Sequence, residues 1–364
     1  MEKLEIIGGK KLQGSINISG SKNASLPILA ATILANKVTL NNIPQVKDID
    51  TMTELLTSLG SKIYINKNKK KIKIHNYKSN KKVAKYKYVK TMRAGILVLG
   101  SLLSKFGKAK VSLPGGCAIG LRPVNLHIEA LKKMGVKIKI IEGYIYATAN
   151  NGLKGTKISF PKVSVGATEN LIIAACKAKG RTILSNCAIE PEVKDLSNFL
   201  IKLGCKIKWL GKRKVQIDGV KNLKDINYNI MFDRIEAVTY MIAAAATNGR
   251  VSIKNIQPKI IDKEILLLKK IGVKIIEKKN KITIISSKSL KGINIKTSPY
   301  PGFPTDLQAQ LMVLMCKAKN QSIIRENIFE NRFMHVSELN RMGADIIVKG
   351  RKAIINGNKK LSGA

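Results

Sequence analysis

The strongest constraint on the fold is a phrase of eight residues that returns five times along the chain. In each copy an apolar, helix-like pattern runs into a glycine, and a short β-like run follows that glycine. Successive copies lie about 70 residues apart, an interval that fits a whole supersecondary unit copied along the chain. The glycines of the copies are Gly60, Gly135, Gly204, Gly272 and Gly343.

One repeat is predicted to contain two helices and three strands. The helix before each glycine is amphipathic; in the third copy Leu196, Leu200 and Leu203 share one face. Glycine ends that helix because it enters the left-handed conformation without steric penalty. The order helix, strand, helix, strand, strand predicts an α/β protein. The first helix of each repeat is rich in small residues and is expected to be buried, at residues 21–35, 91–104, 166–178, 234–248 and 305–318.

Length and composition favour a two-domain protein of the cytoplasm. The chain has 364 residues, more than one ordinary core accommodates. Its longest apolar stretches run about ten residues, half of what a membrane-spanning helix needs, and its first residues lack the pattern of a signal peptide. We therefore expect no membrane partner. Five cysteines without metal-binding spacing, and only three histidines, argue against a disulfide scaffold and against a metal site.

The formal net charge of +43 admits a different class of function, nucleic-acid binding. However, the lysines accompany abundant Asn and Ile and are spread over most repeats, as a coding bias towards A and T would produce. No nucleic-acid-binding module accompanies the densest lysine run, at residues 67–90. We therefore expect solvated surface lysines, no nucleic-acid partner, and a positive field that favours anionic substrates.

Two segments carry residues suited to anionic substrates. At residues 19–24, backbone N–H groups, the helix dipole and Lys22 could bind an anion, although a capping role for Ser21 or Asn23 is an alternative. At residues 113–123 a glycine-rich loop carries Cys117 five residues before Arg122, and a nearby cation stabilises a thiolate. The other four cysteines lie among apolar or small residues and are expected to be inert.

A third candidate is Asp306, in the first turn of a repeat helix behind Thr305. Compensation of the helix dipole is the common role of such an aspartate, and a catalytic base is the rarer one. Arg93 and Arg332 occupy repeat openings or loops, where an arginine either binds phosphate or carboxylate or forms a structural ion pair.

Long motifs, taken together, closely resemble the UDP-N-acetylglucosamine 1-carboxyvinyltransferase family of enolpyruvyl transferases. The resemblance runs from residues 11–14 to residues 360–364 and covers the whole chain. The motifs that carry it lie at residues 21–24, 90–94, 114–117, 122–124, 162–168, 233–236, 303–306 and 330–335.

The resemblance implies a two-domain inside-out α/β barrel built from βαβαββ units. Five complete repeats are visible, and the sixth unit of the family is missing. The implied domains are residues 22–229, with three repeats, and residues 1–21 together with 230–364, with two repeats and a C-terminal truncation relative to the family. The implied active site lies in the cleft between the domains.

The implied reaction transfers enolpyruvyl from phosphoenolpyruvate to the 3-hydroxyl of UDP-N-acetylglucosamine and releases phosphate. It requires no metal or organic cofactor, and a monomer is expected. Family correspondence makes Cys117 the proton donor and Asp306 the base for the hydroxyl. Lys22 is assigned as a third catalytic residue and, with Asn23, matches the phosphoenolpyruvate contacts; Arg93 and Arg122 match the basic groups of the cleft. The UDP-sugar site is matched by Arg122, Pro123, Val124, Asn125, Leu126, Lys162, Ser164, Val165, Asp306 and Ile328.

The sequence departs from the family pattern in two places. Asn125 stands where the family usually has aspartate, so one carboxylate acceptor is replaced by an amide that can still hydrogen-bond. Beyond Ala364 the family continues into a helix and an arginine-bearing segment that contacts phosphoenolpyruvate. The alternative function is therefore a truncated, non-catalytic UDP-sugar-binding homologue. The shikimate-pathway enolpyruvyl transferase shares the fold, but the Pro-Gly-Gly-Cys loop at residues 114–117 favours the amino-sugar branch.

Overall fold

A computed structural model describes residues 5–77, 80–115, 124–285 and 289–364 of the chain. The described chain divides into two compact units. The three-sheet unit contains residues 19–115 and 124–231, and the two-sheet unit contains residues 5–18, 232–285 and 289–364. Within these ranges no helix is long and apolar enough to cross a membrane.

Strands and helices alternate along both units. The strands are β1 (Gln13–Asn17), β2 (Lys37–Asn41), β3 (Lys62–Asn66), β4 (Lys71–His75), β5 (Val83–Ala84), β6 (Lys108–Ser112), β7 (Lys137–Ile141), β8 (Tyr144–Thr148), β9 (Lys157–Ser159), β10 (Arg181–Ser185), β11 (Lys206–Trp209), β12 (Lys214–Asp218), β13 (Ile226–Asn229), β14 (Arg250–Lys254), β15 (Lys274–Lys278), β16 (Lys281–Ile285), β17 (Asn294–Lys296), β18 (Ser322–Arg325), β19 (Asp345–Lys349) and β20 (Lys352–Asn356). The α-helices are α1 (Lys22–Ala31), α2 (Lys47–Ser58), α3 (Tyr86–Val89), α4 (Val98–Phe106), α5 (Asn125–Lys133), α6 (Val165–Ala175), α7 (Pro191–Leu203), α8 (Arg234–Ala246), α9 (Asp262–Ile271), α10 (Gln308–Cys316) and α11 (Val336–Arg341). Short 3-10 turns occupy Thr32–Leu34, Arg93–Leu97, Pro258–Ile261 and Thr305–Leu307.

The five sheets of the described chain share one topology. Numbered by their place in the repeat, the four strands lie side by side in the order first, second, fourth, third. The first and second strands are parallel, and the other two neighbouring pairs are antiparallel. The three-sheet unit holds the sheets β13-β2-β4-β3, β5-β6-β8-β7 and β9-β10-β12-β11. The two-sheet unit holds β1-β14-β16-β15 and β17-β18-β20-β19. These are the predicted repeats, each of the βαβαββ form.

The periodicity of the residues alone missed the first strand of each repeat. That strand is short: β5 has two residues, and β9 and β17 have three each. A run of this length is too short to show the alternation by which a strand is recognised in sequence. In two sheets it also comes from a distant part of the chain, because β13 pairs with β2 and β1 pairs with β14.

Helices form the interior of each unit, and the sheets lie around them. The opening helices α1 and α6 are buried over almost their whole length, whereas strands such as β2 alternate between buried and solvent-facing residues. Hence the sheets present one face to the helices and the other to water, which is the inside-out α/β barrel arrangement. As predicted, the repeat glycines end their helices at positive φ, with values from 87° at Gly135 to 107° at Gly204 and Gly272.

Candidate active site

The N-terminus of α1 displays Lys22 and Asn23, two of the predicted substrate contacts. Ser21 caps the helix: its Oγ accepts a hydrogen bond from Ala24 N at 3.2 Å, and its own N–H donates to Met231 O at 2.8 Å. The Lys22 ammonium lies 3.2 Å from Asp48 Oδ2, and both side chains are partly exposed. Capping by Ser21 and presentation of Lys22 at a helix N-terminus therefore coexist, and the segment suits an anion.

Arg93 lies near a buried polar pair formed by His127 and Asn170. Asn170 Oδ1 accepts a hydrogen bond from Gly100 N at 2.8 Å, so its amide nitrogen must be the donor to His127 Nδ1, at 2.9 Å. The imidazole therefore carries its proton on Nε2. Burial, together with the positive charge of Arg93, lowers the pKa of His127 to about 4. His127 is thus a neutral structural group at pH 7.

The starts of α5 and α6 lie side by side in the three-sheet unit. His127 is the third residue of α5, and a Cβ built on Gly166 of α6 would lie 3.5 Å from its Cε1 atom. Ser164 caps α6 by accepting a hydrogen bond from Ala167 N at 3.3 Å. Six residues of the predicted UDP-sugar site therefore lie at or just before the starts of these two neighbouring helices, namely Val124, Asn125, Leu126, Lys162, Ser164 and Val165.

Asp306 and Ile328 lie in the two-sheet unit. Asp306 Oδ1 accepts a hydrogen bond from Arg332 Nη2 at 2.8 Å, and the aspartate is partly exposed. The Arg332 guanidinium in turn lies 5.3 Å from the centre of the Phe329 ring. Of the two roles predicted for Arg332, the structure shows the ion pair. This pair fixes the direction in which the Asp306 carboxylate points.

Sequence reasoning missed Glu326, a fully buried carboxylate next to these residues. Its Oε1 accepts hydrogen bonds from Ile328 N at 2.8 Å and Phe329 N at 3.1 Å. Thr297 Oγ1 also donates to Oε1, at 2.9 Å, and Thr305 Oγ1 donates to Oε2 at 2.8 Å. The only sequence signal was its position, two residues before Ile328 and directly after a β-like run.

The described cysteines are inert, as predicted. Cys176, Cys187, Cys205 and Cys316 are buried and free of disulfides. Burial raises the pKa of Cys187 to about 12 and that of Cys316 to about 11, so these thiols stay protonated at neutral pH. The predicted site residues Cys117, Arg122 and Pro123 lie outside the described residues. In the part of the chain that is described, no group of three His, Cys, Asp or Glu side chains could hold a metal ion.

Comparison with known proteins places this geometry in a family. The family described as EPSP synthase (3-phosphoshikimate 1-carboxyvinyltransferase) matches residues 6–364. The chain is 66% identical, over its whole length, to a UDP-N-acetylglucosamine 1-carboxyvinyltransferase of Pelagibacter ubique and covers 87% of that protein. Proteins with the same name from Geotalea uraniireducens and Rickettsia prowazekii are 52% and 51% identical over the whole chain, with the same 87% covered.

Solved structures share the fold at lower identity. The enolpyruvyl transferase NikO from Streptomyces tendae matches 97% of this chain and 84% of its own, with a TM-score of 0.87 and 20% identity. EPSP synthase from Acinetobacter baumannii matches 97% of this chain and 83% of its own, with a TM-score of 0.71 and 19% identity. Fold, family match and full-length identity agree: this chain belongs to the EPSP synthase family and, within it, to the UDP-N-acetylglucosamine 1-carboxyvinyltransferase family.

Proposed function

We propose that this protein transfers the enolpyruvyl group of phosphoenolpyruvate to the 3-hydroxyl of UDP-N-acetylglucosamine and releases phosphate. This is the first committed step of peptidoglycan biosynthesis. The observation that carries the proposal is 66% identity over the whole chain to a protein named for this reaction. The chain's net charge of +43 agrees with two anionic substrates, since a positive field raises their local concentration.

The chemistry assigns a separate task to each group of residues. The hydroxyl oxygen bonds to C2 of phosphoenolpyruvate, its proton passes to a base, and a proton is delivered to the methylene carbon. Phosphate then leaves as a proton departs from that carbon and the double bond re-forms. Asp306 is the proposed base, and Arg332, 2.8 Å away, orients its carboxylate.

The remaining roles follow from the family resemblance. Lys22 and Asn23 are the proposed contacts for phosphoenolpyruvate, and Arg93 is a proposed basic group of the site, where fixed cations stabilise the shifting charge. Cys117 is the proposed proton donor, and Arg122 is a further basic group. The UDP-sugar contacts are assigned to the start of α5, the start of α6, Asp306 and Ile328.

A coupled assay tests this function. Purified protein should release phosphate from phosphoenolpyruvate only when UDP-N-acetylglucosamine is present, and Asp306→Asn should lower kcat by about a hundredfold or more. Calorimetry with UDP-N-acetylglucosamine is run alongside. Phosphate release that does not depend on UDP-N-acetylglucosamine would contradict the proposal. Binding of UDP-N-acetylglucosamine without any turnover would favour the non-catalytic alternative.

The Cys117 thiol supports a prediction about inhibition. Thiol-directed inhibitors of the fosfomycin type act on a nucleophilic cysteine, whereas a protonated carboxyl group can still deliver a proton. The Cys117→Asp variant should therefore remain active while resisting fosfomycin, as measured by phosphate release with and without the inhibitor. Equal inhibition of both forms would show that the thiol is not the target.

The cellular setting follows from the same proposal. We infer a cytoplasmic monomer with small-molecule substrates and no nucleic-acid or membrane partner, which supplies cell-wall precursors for cell shape, the cell cycle and division. The free, buried state of the described cysteines agrees with a reducing compartment. We also propose that the domains comprise residues 22–229, and residues 1–21 with 230–364.

A further inference from the structure

Glu326 is an acidic side chain in a place where an unsatisfied polar group is costly. It directly follows β18 and is fully buried. A carboxylate in such a position is stable only when hydrogen bonds replace its water. Its two oxygens accept four hydrogen bonds of 2.8–3.1 Å from two threonine hydroxyls and two backbone N–H groups. These four donors are neutral groups, so oriented dipoles rather than an opposite charge satisfy the carboxyl group.

The carboxylate joins two chain segments that carry proposed substrate contacts. Through Oε2 it binds Thr305, the residue before Asp306 in the 3-10 turn Thr305–Leu307. Through Oε1 it binds the backbone of Ile328. Thr297 adds a further link: its hydroxyl donates a hydrogen bond to Glu326 Oε1 and accepts one from Asn327 N at 2.9 Å. The Glu326 side chain therefore links the Asp306 turn directly to the Ile328 backbone, in addition to the backbone hydrogen bonds from Thr297 N to Arg325 O and from Ser298 N to Phe303 O.

From these contacts we propose that Glu326 is a positioning residue for recognition of the sugar. It holds the base Asp306 and the Ile328 segment in a fixed register, so that the 3-hydroxyl of the sugar meets the carboxylate at a productive distance. The inference rests on the proposed function. It concerns the sugar because Asp306, the neighbour of the Thr305 that Glu326 binds, is the proposed base for the 3-hydroxyl of the sugar. A displacement of about 1 Å at such a site costs up to about a hundredfold in rate.

The test removes one hydrogen bond at a time. Thr305→Val removes the donor to Oε2 with little change in shape, Thr305→Ser restores it, and Glu326→Gln removes the charge. Thr283→Val is the matched control, since Thr283 Oγ1 makes a hydrogen bond with Ser252 Oγ at 3.0 Å on a sheet of the same unit. Each variant is examined by calorimetry with UDP-N-acetylglucosamine and with UDP, by phosphate release, and by thermal unfolding.

Thr305→Val and Glu326→Gln should raise the Kd for UDP-N-acetylglucosamine and lower kcat/KM by about tenfold to a hundredfold. The Kd for UDP should stay within about twofold, and Thr305→Ser should recover most of the loss. Thr283→Val should leave both affinities unchanged. A lower melting temperature with an unchanged ratio of the two affinities would show a structural role only and would overturn the inference. Wild-type protein that fails to bind UDP-N-acetylglucosamine would instead refute the proposed function itself.

Discussion

His127 is buried on α5, and its pKa of about 4 lies below the ordinary value of 6.5. The unfolded chain therefore takes up a proton as the pH falls through 6.5, whereas the folded chain does so only near pH 4. The stability that this difference provides is fully present above pH 6.5 and is lost as the pH falls towards 4. The loss amounts to about 3 kcal/mol over that window.

Urea unfolding at pH 7.5 and pH 5, for wild type and His127→Gln, measures this contribution. The free energy of unfolding should fall more between the two pH values in wild type than in the variant. The variant is needed because burial raises the pKa of Glu169, whose contribution to stability has the opposite pH dependence. Identical pH dependence in both proteins would show that His127 does not titrate in this way.

Single residues show where sequence reasoning stops. The Ser21 cap, the burial of four cysteines and a turn bearing Asp306 could all be predicted, because each depends on neighbours in the sequence. Glu326 and the His127–Asn170 pair could not. Their partners lie up to 43 residues away, and only the fold brings them together. The assignment of Cys117 as proton donor stays a prediction.

At the scale of elements, α4 and α6 approach so closely that Gly100 leaves no room for a side chain. A Cβ there would lie 2.2 Å from Asn170 Oδ1 and 2.5 Å from Asn170 O. Gly100→Ala should therefore destabilise the protein by about 1–3 kcal/mol, because the helices must separate or Asn170 must move. Denaturant unfolding measures the change, with Gly8→Ala as the control, since nothing lies within 4 Å of its added Cβ. An equal, small effect of both substitutions would show that the helices adjust freely.

Elements also differ in how well the sequence predicts them. The helices of each repeat were predicted within a few residues, because apolar periodicity and a terminal glycine act locally. The first strands were not predicted from periodicity, because their pairing partners, rather than their own two to five residues, make them strands. The βαβαββ order came only from the family resemblance.

At the scale of the whole molecule, we predict that a substitution in one unit can lower the stability of that unit without changing the stability of the other. Arg234 and Glu264 form a buried ion pair at 3.8 Å in the two-sheet unit. Glu264→Gln removes the negative charge beside a buried guanidinium and should cost about 3–5 kcal/mol. Glu277→Gln, at the exposed 2.7 Å pair with Lys269 of the same unit, should cost less than about 1 kcal/mol.

The single tryptophan, Trp209, lies in the three-sheet unit and reports on that unit alone. In Glu264→Gln, circular dichroism should show an early unfolding transition, while Trp209 fluorescence should change at the same denaturant concentration as in wild type. A fluorescence transition that moves together with the circular dichroism would mean that the units unfold as one, contrary to this prediction.

The pairing of β1 with β14 has a consequence for biosynthesis. The segment that becomes β1 leaves the ribosome long before its partner: Arg250, which pairs with Gln13, is translated 237 residues later, which takes on the order of ten to fifty seconds. During that time β1 has no partner strand, because the residues of the three-sheet unit are translated between β1 and the rest of the two-sheet unit. The interval is therefore a window for chaperone binding or mispairing, and slow codons placed before residue 250 would lengthen it.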